Sequence, residues 1–240
     1  MQLRRRVIAT VESAATVILV GAAAVVFWKI AFGDITGEKG LPQNWGLPQV
    51  EIVSKTLPRE RITNILGSGR VAIVEFSDFQ CPFCAGHAQN VFPLIKRQLI
   101  DSGEARYVAL HLPLEQLHPR AMKAAEAAEC AATQHKFWPM HDRLFGPAAA
   151  LSDGGLRKHA EAIGLDVGRF QKCLASGETL NKIRADRAAA DDLGLDSTPV
   201  FFVGLVRDDG GVDLVRKFRG LARSRIFTEL VAELTRQARN

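Results

Sequence analysis

The segment Cys81-Pro-Phe-Cys84 carries two thiols at a spacing that sets both on one turn of a helix. A thiolate is the nucleophile of disulfide exchange, so what stabilises it decides how readily it reacts. Pro82 suits the first position of a helix, where its missing N–H leaves no bond unmade. Cys81 would then lie at an exposed first turn, where unpaired N–H groups and the positive end of the helix dipole lower a thiol pKa from about 8.5 toward roughly 3.5–7.5. Cys84, three residues further in, would be partly covered by the same turn. The spacing also supplies half of a zinc site, and His87 follows it. No second Cys or His pair completes a set of four, so no metal is expected and His87 reads as a polar residue of the helix.

The elements that position these thiols follow from hydrophobic pattern. Val71 to Phe76 is β-branched and apolar apart from Glu75, the pattern of a strand buried on both faces. After the cysteines a helix runs to Phe92, breaks at Pro93, resumes from Leu94 to Ile100 and is closed by Gly103. Ala105 to Leu112 is strand-like again, so strand, helix and strand make a βαβ unit with parallel strands. Upstream, Glu51 to Leu66 reads as a short strand or irregular segment and then a short helix ending before Gly67-Ser-Gly69. From about 115 to 193 the chain is helical and alanine-rich, with Ala121 to Ala132 as its clearest segment and further helices over Lys136 to Phe145, Ser152 to Ile163, Val167 to Leu174 and Leu180 to Leu193. Val200 to Val203 and Val212 to Phe218 form a hairpin through Asp208-Asp-Gly-Gly211, and Ser224 to Ala238 is an amphipathic helix. With the helical insertion set aside, residues 50–240 read βαβ and then ββα, an α/β fold.

The chain of 240 residues with 47% hydrophobic content is long enough to bury a core. Its net charge of +5 and pI near 9.2 do not imply a nucleic-acid partner. Basic and acidic residues are interleaved, and Arg216-Lys-Phe-Arg219 lies beside a single aromatic with no glycine-rich phosphate loop. Between Val7 and Phe32 only Glu12 and Lys29 are charged, and with tilt this segment nearly fills a bilayer, which needs about 20 residues. Arg4, Arg5 and Arg6 precede it and hold the N-terminus in the cytoplasm by the positive-inside rule. A signal peptide cleaved near Ala22-Ala23-Ala24 is the alternative, but Val25-Val26-Phe27-Trp28 continues the apolar run, which favours an uncleaved transmembrane anchor over 1–32. Residues 33–49, rich in glycine and proline, read as a linker. Anchored or cleaved, the catalytic part is exported, and export permits disulfides.

On these residues the chain from about 70 to 235 resembles the DsbA-like thiol:disulfide oxidoreductases, which have a thioredoxin fold with a helical insertion. The resemblance lies in Cys81-Pro-Phe-Cys84 after a strand, in Ser197-Thr198-Pro199 before the hairpin, and in Ala127-Ala-Glu-Cys130, Gln134-His-Lys-Phe-Trp138 and His141-Asp142 of the insertion. It implies that Cys81 attacks, that Cys84 resolves, and that Pro199 is a cis residue facing them. It also implies that the backbone beside Thr198 and Pro199, with Pro82 and Phe83 opposite, binds the substrate chain. Glu75 takes the position of the family's buried acid, and a buried carboxylate would have a raised pKa and could accept the proton that Cys84 loses. The alternative is a solvated Glu75 facing an edge. No cofactor is expected. Pairing of Cys81 with Cys84 leaves Cys130 and Cys173, which in an exported protein are expected to form a structural disulfide closing a loop of roughly 44 residues; two buried thiols are the alternative.

The resemblance leaves the direction of exchange open. Phe83 stands where DsbA itself has a histidine and cannot donate a charged hydrogen bond to Cys81, which implies a less oxidising disulfide, since a strongly oxidising couple is one whose reduced form is stabilised. The leading expectation is an oxidase that passes its disulfide to reduced or misoxidised exported proteins and is reoxidised by a membrane redox partner. An isomerase or reductase of the same compartment is the second reading, and a metal-binding or copper-delivery module using Cys81, Cys84 and His87 is a third from another class.

Overall fold

The computed structural model describes residues 48–146 and 149–239. The anchor expected over 1–32 and nearly all of the linker over 33–49 lie outside those residues. No helix among the described residues is long and apolar enough to cross a membrane.

A six-stranded sheet runs in the order β1-β6-β5-β3-β4-β2, with β1 Glu51–Leu57, β2 Ile65–Gly67, β3 Val71–Ser77, β4 Ala105–His111, β5 Val200–Val206 and β6 Val212–Arg219. β3 and β4 are parallel and every other pairing is antiparallel. Between β3 and β4 the chain passes through α1 Pro82–Asn90, α2 Phe92–Ile95 and a π-helical turn over Lys96–Ile100. The break falls at Val91 because Pro93 has no N–H to give to the preceding turn. The expected thioredoxin-like α/β order with a helical insertion is therefore what the chain adopts. One local expectation is corrected. Glu51 to Leu66 contains no α-helix; a 3-10 turn over Arg59–Arg61 is followed by β2, which pairs with β4. A helix that short is marginal on its own, whereas the β4 edge offers Ile65 to Gly67 backbone partners.

The two faces of β3 explain its near-total burial. Ala72, Val74 and Phe76 pack with Val108, Leu110, Phe202 and with Ala189 and Ala190 of α7 (Leu180–Asp192). Ile73, Glu75 and Ser77 alternate with them and face the other layer. That layer contains α1, α8 (Ser224–Gln237) and the rest of the insertion, α3 Ala121–Ala132, α4 Phe137–Leu144, α5 Asp153–Ala162 and α6 Val167–Ser176. α8 docks through Phe227, Leu230, Val231 and Leu234, a helical stripe whose Phe227 ring lies 5.0 Å from Phe201. α3 is buried around most of its circumference, and its alanines let the neighbouring helices approach closely.

Cys130 on α3 and Cys173 on α6 are joined in a disulfide, with Cα atoms 5.8 Å apart and a sequence separation of 43. Gly177 ends α6 with φ +66°, a conformation that glycine adopts without the penalty of a Cβ. The bridge fastens the outer helix of the insertion to the inner one. Replacing both cysteines with alanine, in a background where Cys81 and Cys84 are also alanine, should lower the unfolding free energy by about 2–4 kcal/mol. Urea denaturation measures this, and an unchanged midpoint would show that the bridge adds no stability.

Candidate active site

The end of β3 delivers the dithiol through a loop held by one carboxylate. Asp78, 2% exposed, accepts hydrogen bonds from the Gln80 N–H at 2.7 Å and the Leu114 N–H at 2.9 Å, and its other partner is His118 Nδ1 at 2.8 Å. It thereby ties the loop before α1 to the segment after β4. Cys81 then takes the N-cap position with extended backbone, and Pro82 occupies the first helical position.

Cys81 is not exposed as its sequence position suggests. It is 4% exposed and Cys84 is fully covered, because Phe79, the alanines of α3 and the aromatic side chains of α4 close over them in one apolar cluster. The accessible residues beside the thiols are Pro82 and Phe83, the latter half exposed. The thiols differ in environment instead. Cys81 has its pKa lowered to about 5 by hydrogen bonding from the Cys84 thiol first, against the opposing effect of burial, with Thr198 and the N–H groups of Cys84 and Phe83 adding to it. Cys84 is pushed well above the ordinary thiol range by burial, by its hydrogen bond to Cys81 and by the Glu75 charge. The role expected of a histidine between the cysteines is thus filled by other donors.

Thr198 and Pro199 stand across from Cys81. Their peptide bond is cis, and the Cys81 thiol donates to the Thr198 carbonyl at 3.5 Å. Thr198 and Pro199 are buried, while Pro82 and Phe83 face solvent. Beneath the dithiol, Glu75 is 2% exposed and lies within electrostatic reach of both Cys81 and Cys84. Burial raises its pKa, opposed by the charge of His141, by the hydrogen bond from Tyr107 and by the nearby Ser77 hydroxyl, which makes no formed hydrogen bond to it. The alternative of a solvated Glu75 at an edge is overturned, because β3 is paired on both sides.

Three further side chains of this site enter it in roles that the sequence does not mark. His87, read there as a polar residue of the helix, is 1% exposed and bonds the hydroxyl of Tyr107 at 2.9 Å. Tyr107 donates to Glu75 Oε2 at 2.8 Å. His141 sits among the rings of Phe79, Phe92, Phe137, Trp138 and Phe145, all within 6.2 Å. The available signals were weak: His87 is one turn beyond Cys84, and Tyr107 is the chain's single tyrosine. Among the described residues no group of three Cys, His, Asp or Glu side chains is placed to hold a metal ion.

A thiolate absorbance titration of the reduced protein should show one transition near pH 5 from Cys81. In Cys84→Ala that transition should move upward, toward the ordinary range near about 8.5, because the largest stabilising hydrogen bond is gone. The sign for stability follows. A folded pKa below the unfolded one stabilises the reduced protein fully above the unfolded value and progressively less as pH falls toward about 5. The stability of the reduced form relative to the oxidised form should therefore decline from pH 9 to pH 5 in paired urea titrations, and a constant difference would contradict the low Cys81 pKa.

Comparison with known proteins agrees with this geometry. A thioredoxin family model matches residues 67–210, more than half of the chain. The structure of alpha-DsbA1 from Wolbachia pipientis is similar at 27% identity and a TM-score of 0.62, covering 72% of this chain and 91% of that one. DsbA2 of Pseudomonas aeruginosa is similar at 26% identity and a TM-score of 0.56, covering 77% and 97%. Among curated relatives, the Na(+)/H(+) antiporter NhaA 3 of Salinispora tropica is 43% identical over 140 residues, which are 58% of this chain and 21% of the antiporter. The chain spans only about a quarter or less of the length of the first such relatives, and the match lies in its thioredoxin-like part. A CxxC dithiol at the start of a helix, opposite a cis-proline and under a helical insertion, together with these likenesses, shows that the chain belongs to the thioredoxin family as a DsbA-like thiol:disulfide oxidoreductase.

Proposed function

We propose that the enzyme is a membrane-anchored oxidase that passes its Cys81–Cys84 disulfide to reduced proteins outside the cytoplasmic membrane. The observation that carries this reading is the placement of Cys81 at the N-cap of α1 opposite the cis Thr198–Pro199 bond, where its pKa is lowered to about 5. Stabilising the reduced form makes the disulfide a stronger oxidant, which answers the argument from Phe83 for a weaker one. The substrate chain lies against Thr198 and Pro199 with Pro82 and Phe83 beside it. Its thiolate attacks Cys81, the Cys81–Cys84 bond breaks, and Cys84 leaves with the electron pair and takes a proton from Glu75. A second substrate thiol then displaces Cys81, leaving the substrate oxidised and the enzyme reduced by two electrons. A membrane redox partner restores the disulfide.

The export of the domain rests on Arg4, Arg5 and Arg6 and the apolar segment behind them. The antiporter relatives support membrane association, since the matching part of those proteins belongs to an ion antiporter, which works across a membrane. A reporter fused after residue 240 should be active only when exported. In glutathione buffers the Cys81–Cys84 couple should equilibrate nearer to the about −120 mV of a strong oxidant than to the about −270 mV of thioredoxin. A value near the latter would instead assign the chain as a reductase or isomerase.

A further inference from the structure

Glu75 has two oxygens in different situations. Oε2 accepts from Tyr107, while Oε1 is buried with no hydrogen-bond partner among the described residues. The Tyr107 hydroxyl in turn touches His87 Nε2. All three side chains are at most 2% exposed. Since the Tyr107 proton points to the carboxylate, the imidazole must donate from Nε2 to the phenol oxygen, which leaves Nδ1 with only a lone pair. Nδ1 has no partner, in keeping with that tautomer. Burial, and then the charge of His141, holds the His87 pKa at about 3, so the ring stays neutral.

We propose that Tyr107 and His87 are positioning residues for the proton that passes between Cys84 and Glu75. His87 fixes the direction of the Tyr107 hydroxyl, and Tyr107 occupies Oε2, so that Oε1 is the oxygen that gains and loses the proton. The inference rests on the reading of Glu75 as the proton acceptor for Cys84. In the reducing direction, Cys84–SH gives its proton to Glu75 Oε1 and its sulfur attacks Cys81. The Cys81–Cys84 bond forms, the bond from Cys81 to the substrate sulfur breaks, and the substrate leaves as a thiolate carrying the electron pair. The oxidising direction is the reverse, with Glu75 returning the proton to Cys84. Tyr107 and His87 keep the same arrangement throughout, and no charge is created on either.

The groups that face Glu75 are Ser77 on its own strand, Cys81 and Cys84 on α1, Tyr107 on β4 and His141 on α4. Of the two neutral hydroxyls among these, Tyr107 makes a formed hydrogen bond to the carboxylate and Ser77 does not, so removing the Tyr107 hydroxyl takes away a donor without changing formal charge. Tyr107→Phe deletes the hydroxyl and keeps the ring, which packs 4.8 Å from Phe92 and 6.1 Å from Trp138.

The test is the rate at which Cys84 releases a small thiol from a preformed mixed disulfide on Cys81, followed as a function of pH. In the unaltered enzyme the rate rises through an inflection as Glu75 ionises. Without the Tyr107 hydroxyl the carboxylate is harder to ionise, and the inflection should move up by about one pH unit, a tenfold loss of rate below it, given the strength of a hydrogen bond to a charged group. Glu75→Gln should abolish the inflection. His87→Gln, which retains an N–H donor at similar reach, should keep the original midpoint, whereas His87→Leu should shift it in the same direction as Tyr107→Phe. If Glu75→Gln leaves the profile intact, the underlying reading of Glu75 fails. If Glu75→Gln abolishes the inflection and Tyr107→Phe does not move it, the inference about Tyr107 fails alone. A measurement on the unaltered chain gives the same decision should a variant not fold. With one tyrosine in the chain, a carbon-13 label on the phenol reports Tyr107 only. Its resonance should shift with the midpoint seen in the rate, and a resonance that is constant through that pH would overturn the proposal.

Discussion

An anionic sulfur at Cys81, on a residue only 4% exposed, depends on hydrogen bonds rather than on water for its stability. Desolvation works against the thiolate, and the low pKa exists because several donors converge on one atom. They are the neighbouring thiol and the first-turn N–H groups of α1, and Thr198, two residues before β5, lies against the same sulfur. The constraint is therefore tertiary. α1 must begin where β3 ends, and β5 must lie antiparallel to β3, for the sulfur to meet its partners. The Asp78 carboxylate, with bonds to the loop before α1 and to the segment after β4, holds the first of these conditions.

The helical insertion supplies the low dielectric in which these bonds are strong. Its aromatic side chains close over Phe79, Cys81 and Cys84, and they also surround His141. Dry surroundings strengthen each hydrogen bond and equally punish any polar group left without one. The insertion itself is fixed to the sheet by a polar contact. Glu129 of α3 bonds His111 Nε2 at 2.7 Å and accepts from Asn64 at 2.7 Å, and Asp186 of α7 accepts from the His111 N–H at 3.1 Å. The end of β4 is thereby held between two helices of the insertion, next to the strand that carries the dithiol.

What the sequence made legible is what local pattern encodes. The β-branched run before Cys81, Pro82 at a helix start, Pro93 as a break and the Asp-Asp-Gly-Gly turn each have a short-range physical cause, and the corresponding elements formed. The misreadings share a different cause. Ile65 to Gly67 became a strand because β4 offered it partners, which propensity cannot show. His87 read only as a polar residue of the helix because the groups that bury it, Phe201 at 4.5 Å and Phe227 at 5.5 Å, lie more than a hundred residues away in sequence. The reading of Phe83 considered only the residues between the cysteines, whereas the cis Thr198–Pro199 bond that faces Cys81 lies more than a hundred residues away in sequence. Glu75 was legible as a candidate only through its family position, and its burial follows from strand pairing on both sides.

Two buried glutamates in this fold show why one suits proton exchange and the other suits structure. Burial alone would push both upward. Glu129 is nevertheless brought down to about 2, because His111, Lys182 and Asn64 together outweigh the loss of water. It stays an ion over the whole working pH range and can serve only as a fixed anchor. Glu75 has a single donor of good geometry in Tyr107, and its second oxygen is unpartnered, so burial prevails and its pKa is raised. A carboxyl group that is almost satisfied as an anion and almost satisfied as an acid can change state at small cost, which is the property a proton acceptor needs. The difference between the two sites is thus the number of donors each receives. Adding a donor at Glu75 Oε1 would turn the exchangeable acid into a second fixed charge directly beneath the dithiol, where it would raise the cost of releasing Cys84 as a thiolate.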